Sequence, residues 1–156
     1  MKEYIFLYKS KFKNYCNVDK YPKSKLLDLN IFFSEDYSPS KIDIFTREIS
    51  LYNITYVYND FKNKMMYIGF GEWFIDEDIE GPSWDEYSNY VNETNSCKMS
   101  VDNFKEFVKK WLVLKQKLPP FAIVYRDDND WVDCKGFDLK EEMELFVKNH
   151  QPKIIH

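Results

Sequence analysis

Histidine is almost missing from this chain of 156 residues, and its only two copies, His150 and His156, lie in the last seven positions. A catalytic Ser-His-Asp or Cys-His arrangement would have to use this chain end, where order is lowest. His150 follows the last predicted helix, where a cation complements the helix dipole, so we interpret it as structural. We therefore expect no catalytic residues and a protein that is not an enzyme.

Glycine is also scarce, with four copies, and two of them form the sequence Gly69-Phe-Gly71. This sequence lacks the third glycine, the following helix and the Lys-Ser/Thr pair of a phosphate-binding loop, so we expect no nucleotide site and no cofactor. Both glycines fall inside a predicted strand, where they indicate a bulge or a close approach of another group to the backbone.

The three cysteines, Cys16, Cys97 and Cys134, are far apart and have no CxxC spacing, which is typical of reduced thiols rather than of a disulfide framework or a zinc site. No uninterrupted apolar run approaches the roughly 20 residues that cross a bilayer, and the first residues lack the apolar length of a signal peptide. These absences predict a cytoplasmic protein that does not contact a membrane.

Aromatic side chains, in contrast, are abundant, at 19% of the residues within a hydrophobic fraction of 44%. This length and composition are those of one globular domain, which we place at residues 1–156, with a core built largely of rings. Part of the enrichment in Phe, Tyr, Ile, Asn and Lys is the composition expected of AT-rich coding DNA.

Clear secondary-structure patterns begin near the middle of the chain. Residues 49–58 and 65–74 are rich in β-branched and aromatic side chains and predict a hairpin. A helix is predicted from its N-cap, Ser100, to the stop at Pro119 and Pro120, because apolar residues recur at intervals of three and four. Its predicted inward residues are Val101, Phe104, Phe107, Val108, Trp111, Leu112 and Leu114.

The C-terminal part predicts a second hairpin and a last helix. Residues 121–126 and 131–135 flank the turn-forming sequence Asp127-Asp-Asn-Asp130. Asp138, with Glu141 three residues later, is typical of a helix start, and the predicted inward residues that follow are Leu139, Met143, Phe146 and Val147. This order predicts an α+β fold, an antiparallel sheet built from hairpins with the two C-terminal helices packed on one face.

Charge is distributed unevenly along the chain, whose net charge is −4. Residues 1–64 carry a net charge of +3, residues 65–99 carry −7, and residues 100–156 are neutral overall. The lysines of residues 9–25 suggest nucleic acid, but arginine is nearly absent and the whole chain is acidic, so we interpret this stretch as a solvated loop. No direct contact with nucleic acid is expected.

The acidity is concentrated in residues 72–93, the acidic segment, which contains no lysine or arginine. Trp and Tyr act as anchors in protein interfaces, while charges of one sign around them steer a partner of opposite charge. We therefore predict a partner-binding surface made of Glu72, Asp76, Glu77, Asp78, Glu80, Trp84, Asp85, Glu86, Tyr87 and Tyr90, joined by Asp127, Asp128 and Asp130 of the second hairpin. Trp73 and Phe74, at the end of a predicted strand, are interpreted as core residues.

Clustered carboxylates also suggest other chemistry. A metal site in the acidic segment or the second hairpin would need a ligand spacing that neither has, so we expect solvated acidic loops and no metal. Two carboxylates flanking a sugar would make a small carbohydrate-active hydrolase, with tryptophans stacking on the sugar. A chain with four glycines, however, offers little loop material for such a cleft.

In its size, its α+β order, its acidic patch with Trp73, Trp84 and Tyr87, and its AT-rich composition, the chain resembles bacterial immunity proteins of contact-dependent growth inhibition and related polymorphic toxin systems. The resemblance implies a cytoplasmic inhibitor that binds its cognate toxin domain. A basic nuclease is the expected partner, because nuclease active sites are positively charged to hold phosphates. The alternative is an adaptor or structural subunit that binds another protein without inhibiting it.

Overall fold

The structure, a computed structural model, describes residues 1–17, 24–34, 43–51, 55–70, 91 and 95–150. The described strands are β1 (Glu3–Lys9), β2 (Tyr15–Asn17), β3 (Ile49–Leu51), β4 (Thr55–Asp60), β5 (Met65–Phe70), β6 (Cys97–Ser100), β7 (Phe121–Arg126) and β8 (Val132–Phe137). The described helices are α1 (Leu26–Ser34), α2 (Asp43–Thr46), α3 (Val101–Lys117) and α4 (Lys140–His150). The predicted α+β class is confirmed.

The chain divides into two compact units, each with one antiparallel sheet. Unit 1 comprises Met1–Leu26 and Asp102–His156, and unit 2 comprises Leu27–Val101. The strand order is β2-β1-β7-β8 in the sheet of unit 1 and β3-β4-β5-β6 in that of unit 2. The prediction of one domain over residues 1–156 stays a prediction.

In unit 1 the predicted hairpin of β7 and β8 is confirmed, and β1 joins it from the other end of the chain. Strand β1 pairs with β7 from Glu3 opposite Arg126 to Tyr8 opposite Phe121. The buried residues where α4 packs on this sheet are Ile123, Phe137, Met143 and Val147. Sheet and helix thus share an apolar core whose half-buried margin includes the rings of Tyr4, Phe6, Phe121, Tyr125 and Phe146.

Successive residues of a strand point to opposite faces of a sheet, and this rule locates the two helices of unit 1. Phe137 belongs to the cluster that packs with Met143 of α4. Gly136 points the other way, since a Cβ built on it would lie 3.0 Å from Leu114 Cδ1 of α3 and closer still to Pro119 Cγ. The helices therefore cover opposite faces of the sheet, which corrects the prediction that both pack on one face.

The predicted helix after Ser100 is confirmed as α3. Its buried residues are Asn103, Phe104, Phe107, Val108, Trp111 and Leu114. The Trp111 ring stacks on Phe107 at 5.9 Å and meets the Tyr15 ring of β2 edge-on at 5.8 Å. The prediction that Leu112 faces inward is wrong, because this residue is exposed on the outer side of the helix.

The last predicted helix is also present, with a later start. Met143 and Val147 of α4 are buried and Phe146 is half-buried, as the periodicity predicts. Leu139 is exposed, so its predicted inward position is wrong. This residue precedes the first residue of α4, Lys140, and the helical periodicity does not yet apply to it.

In unit 2 the hairpin of β4 and β5 is confirmed, but the apolar run of residues 49–58 forms two strands rather than one. Strands β3 and β4 pair antiparallel, with Ile49 opposite Tyr58. The close approach predicted at Gly69 is confirmed, because a Cβ there would lie 2.5 Å from the hydroxyl oxygen of Tyr56 on the neighbouring strand. Gly71 lies outside the described residues.

Candidate functional site

Most of the predicted partner-binding surface lies outside the described residues. This holds for Glu72, Asp76, Glu77, Asp78, Glu80, Trp84, Asp85, Glu86, Tyr87 and Tyr90, and also for Trp73 and Phe74. These assignments stay predictions. The described geometry bears on the three aspartates of the turn between β7 and β8, residues 127–131, which we call the acidic turn.

The acidic turn is shaped by the first of its aspartates. Asp127 Oδ1 accepts hydrogen bonds from the backbone N–H groups of Asn129 at 2.8 Å and Trp131 at 3.0 Å. The Asp127 N–H donates to the Trp131 carbonyl at 2.9 Å and closes the hairpin. Asp130 has a positive φ of 66°, a conformation that Asp tolerates better than most residues. Asp127 is therefore a structural residue of this turn.

The other two aspartates of the acidic turn lie beside positive groups. Asp128 Oδ1 is 2.6 Å from the Met1 amino nitrogen, which also donates to the His150 carbonyl at 3.0 Å. Asp130 Oδ1 is 2.6 Å from Lys2 Nζ. Because Asp128 and Asp130 are 79% and 66% exposed, water screens both pairs, and each stabilises the fold by no more than about 1 kcal/mol. Their negative charge is nevertheless balanced locally.

A buried asparagine of α3 holds the strand that leaves the acidic turn. Asn103 Nδ2 donates to the Val132 carbonyl at 2.8 Å, and Asn103 Oδ1 accepts the Val132 N–H at 2.8 Å. Strand β8 is at the edge of its sheet, where outward backbone groups have no neighbouring strand. The Asn103 amide provides hydrogen-bond partners for both backbone groups of Val132 at this edge. No sequence pattern indicates this role, because an asparagine in a helix is usually exposed.

Beyond Asn103, a lysine, an aspartate and a tyrosine form a cluster around β8. Lys110 Nζ lies 2.7 Å from Asp133 Oδ2, and the Tyr125 hydroxyl donates to the same oxygen at 3.4 Å. Burial, and then the charge of Asp133, raise the pKa of Tyr125 to about 12. Burial and Asp133 also raise the pKa of the Cys134 thiol to about 12, against a lowering by Lys110. Both groups keep their protons at neutral pH, so Cys134 is not a nucleophile.

This cluster lines an open groove of about 760 Å³ beside β8. Its charged lining residues are Lys109, Lys110 and Lys117 of α3, Asp133 and Lys135 of β8, and Asp138 and Glu142. Charges of both signs lie close together in this groove, which does not favour a ligand of a single charge.

The basic stretch at residues 9–25 is more ordered than predicted over its described part. The solvated-loop interpretation fits the turn at residues 10–14, of which residues 11–14 are exposed, but it is wrong for Lys9 and for residues 15–17, which belong to β1 and β2. The strand forms because Tyr15 is buried, with its hydroxyl donating to the Pro119 carbonyl at 2.7 Å and its ring against Trp111. Residues 18–23 lie outside the described part of the chain.

The histidine of the last helix makes the contact expected of a structural residue. His150 Nδ1 lies 2.7 Å from the Phe146 carbonyl oxygen, and the centroids of the two rings are 4.2 Å apart. His156 lies outside the described residues.

Within the described ranges, no group of three or more His, Cys, Asp and Glu side chains is placed to hold a metal ion. In the same part of the chain, no helix has the length and apolar character needed to cross a membrane. Comparisons with protein-family models, curated proteins and solved structures gave no match. The function must therefore be inferred from the residues and geometry of this chain.

Proposed function

We propose that this protein is a cytoplasmic inhibitor of the immunity type, which binds a basic toxin domain, of nuclease type, through its acidic segment. The observation that carries the proposal is the charge of residues 65–99, where eight Asp or Glu stand against one Lys, a net charge of −7. Carboxylates at this density repel one another, and a basic partner that approaches them removes this cost.

The aromatic residues of the acidic segment supply the second requirement of an interface. Trp84, Tyr87 and Tyr90 lie among the carboxylates in the sequence. Aromatic anchors contribute much of the binding free energy when a partner buries them, and the charges around them raise the association rate. A nuclease presents lysines and arginines that hold phosphates, so carboxylates placed there compete with the substrate.

The acidic turn is less suited to this contact than the acidic segment. The carboxylate of Asp127 is engaged by two backbone N–H groups. Those of Asp128 and Asp130 already face the Met1 amino group and Lys2. A basic partner would have to displace these groups before it gained any attraction. We therefore place the contact in residues 72–93 and assign the acidic turn to the stability of the fold.

Affinity capture tests the proposal. The tagged full chain is incubated with extract of its own cells and, separately, with purified products of neighbouring genes. A basic protein should be retained at low salt and released as the salt concentration rises, and its nuclease activity should fall as the inhibitor is added. Recovery of no basic partner would contradict the proposal. A basic partner that is bound but fully active would support the adaptor alternative instead.

Charge-reversal variants locate the contact. Glu77→Lys, Asp78→Lys and Glu80→Lys together should abolish binding without unfolding the protein. The matched control carries Glu106→Lys, Glu141→Lys and Glu144→Lys, the same change in net charge at three exposed positions of α3 and α4. This control should bind within about threefold of the wild type, since only the long-range field differs. Equal losses in both variants would mean that net charge alone drives the association.

A further inference from the structure

The turn between β1 and β2, residues 10–14, is the basic turn, and its backbone is held rigidly. The Ser10 N–H donates to the Asn14 carbonyl at 2.7 Å, and the Lys13 N–H donates to the Ser10 carbonyl at 3.1 Å. Ser10 Oγ accepts from the N–H groups of Phe12 at 3.3 Å and Asn14 at 3.4 Å. The backbone around Phe12, the residue at the tip, is therefore held by hydrogen bonds before any partner arrives.

The end of α3 packs against the basic turn and forms one surface with it. Lys115 Nζ donates to the Lys13 carbonyl at 3.1 Å and to Asn14 Oδ1 at 3.2 Å. The segment that follows the helix is tied to β1, because the Lys9 N–H donates to the Pro120 carbonyl at 2.9 Å. We call this surface the basic end, and its ionisable residues are Lys9, Lys11, Lys13, Lys115 and Lys117.

The basic end contains positive charge without acidic neighbours in sequence. Residues 4–18 and 107–125 contain lysines and no Asp or Glu. Among the described ion pairs, none involves any of the five lysines of the basic end. Lys115 donates hydrogen bonds to the Lys13 carbonyl and to Asn14, and burial lowers its pKa from the ordinary value. The other four lysines, Lys9, Lys11, Lys13 and Lys117, are exposed.

A phenylalanine projects from the centre of this positive surface. Phe12 is 74% exposed, the largest exposure of any large hydrophobic residue in the described part of the chain. The Lys11 ammonium lies 5.1 Å from the centroid of its ring and so covers one side of it. An exposed ring contributes nothing to the core, whereas a ring on a rigid turn can enter a pocket of a partner with little loss of conformational entropy.

We propose that the basic end is a second docking surface, which binds an acidic segment of a protein partner and inserts Phe12 beside an apolar side chain of that segment. This surface is opposite in sign to the acidic segment and does not depend on the immunity function. Carboxylates of the partner would lie near Lys11 and Lys13 on the two sides of the ring. The short, rigid contact favours a local acidic cluster over an extended polyanion.

Single-stranded nucleic acid fits the same surface less well. Its phosphates extend the negative charge along the strand, and a chain of net charge −4 repels such a polymer beyond the patch. Stacking of bases uses the open faces of several rings, whereas here Lys11 lies over one side of the one exposed ring of the basic turn.

Fluorescence anisotropy with three labelled probes tests the proposal on the full chain. The probes are a short peptide with central leucines flanked by glutamates, the same peptide with glutamines, and an oligothymidylate. The glutamate peptide should bind, more weakly at high salt, and the glutamine peptide at least about tenfold more weakly. Tighter binding of the oligothymidylate, or no binding of the glutamate peptide, would overturn the proposal.

Variants assign the binding to the basic end. Phe12→Ala should lower the affinity for the glutamate peptide about tenfold, and Lys11→Glu with Lys13→Glu should lower it more. The matched controls are Phe61→Ala and the double reversal Lys62→Glu with Lys64→Glu, in the turn between β4 and β5. There Phe61 is 53% exposed and also neighbours lysine, but Asp60 dilutes the charge. The controls should change affinity by less than about twofold.

If the variants of both turns lost the same affinity for the glutamate peptide, the assignment of the binding to the basic end would be overturned. Each variant is checked by urea unfolding, and Phe12→Ala should fold like the wild type because its side chain is exposed. If the double charge reversal does not fold, Lys11→Gln with Lys13→Gln takes its place, with a smaller expected loss of affinity.

Discussion

The acidic turn and the basic turn lie at opposite ends of the sheet of unit 1 and use their charges in opposite ways. The register of β1 with β7 places Glu3 and Arg126 next to the acidic turn, and Tyr8 and Phe121 next to the basic turn. In the acidic turn each aspartate has a partner within the chain. At the basic end none of the described ion pairs involves a lysine, and Lys11 lies over the exposed ring of Phe12.

The difference shows that a cluster of charge in a sequence can have either of two physical roles. Where the fold supplies partners, as Met1 and Lys2 do for Asp128 and Asp130, the charges help to fix the chain. Where it does not, the charges remain available to another molecule. Stability measurements should therefore respond to changes at the acidic turn, and binding measurements to changes at the basic end.

Alkaline pH should have the largest effect, on the β8 side of the sheet. Burial and Asp133 raise the pKa of Cys134 from 9.0 to about 12, so the unfolded state loses its proton first. The protonated thiol therefore contributes to the free energy of unfolding in full below about pH 9, and this contribution is lost as the pH rises toward 12. The loss amounts to about 4 kcal/mol, because each unit of pKa difference corresponds to about 1.4 kcal/mol. Urea unfolding across this range measures the loss.

The matched control for this prediction is Cys134→Ser, since a serine hydroxyl does not ionise in that range. The variant should lose markedly less stability than the wild type between neutral and strongly alkaline pH. Parallel curves for the two proteins would show that the thiol is not protected by the fold.

Asn103→Ala should have the next largest effect. It removes two buried hydrogen bonds and leaves the N–H and carbonyl of Val132 without these partners, which costs about 3 kcal/mol. The corresponding change at the basic turn, Asn14→Ala, removes an exposed bond to Lys115 and should cost less than about 0.5 kcal/mol. The free energy of unfolding in urea measures both. If the two substitutions lowered the free energy of unfolding by similar amounts, the contrast between the acidic-turn end and the basic end of the sheet would be contradicted.

Within the acidic turn, Asp127→Ala should destabilise the protein by about 1 to 2 kcal/mol, because two backbone N–H groups lose their acceptor. Asp128→Ala, which removes one screened ion pair, should cost no more than about 1 kcal/mol. Thermal unfolding of the two variants checks the ranking. If the Asp127 variant were as stable as the wild type, Asp127 would have no structural role, and it would again be a candidate for partner binding.

Lys13→Gly should have the smallest effect and the opposite sign. Lys13 has a positive φ of 61°, a conformation that favours glycine, so the substitution should stabilise the fold by about 0.5 kcal/mol. Lys11→Gly removes the same charge at a position without positive φ and should not stabilise it. A higher melting temperature for Lys13→Gly alone would show that the chain keeps a strained lysine at this turn.

Locally determined features were well predicted from the sequence. The helix from Val101 to Lys117 follows from apolar residues at helical spacing between a serine N-cap and two prolines. The hairpin of β7 and β8 follows from two apolar runs around four turn-forming residues, and the close approach at Gly69 from a glycine inside a strand. In each case the determining residues are neighbours in the chain.

Features that depend on distant residues were not predictable in this way. The pairing of β1 with β7 joins residues more than 100 positions apart, and the division of residues 49–58 into two strands depends on where the chain reverses. Further contacts also join residues that are distant in sequence. Asp128 and Asp130 pair with the start of the chain, and Lys115 contacts the basic turn. Hydrophobic periodicity carries no information on such contacts.

The central claim is that the acidic segment binds a basic partner while the acidic turn serves the fold, and backbone amide NMR tests it most directly. Spectra of the full chain are compared with and without the captured basic partner. The claim predicts the largest shift changes in residues 72–93 and none in residues 127–131. Shift changes confined to residues 127–131, with residues 72–93 unaffected, would contradict it.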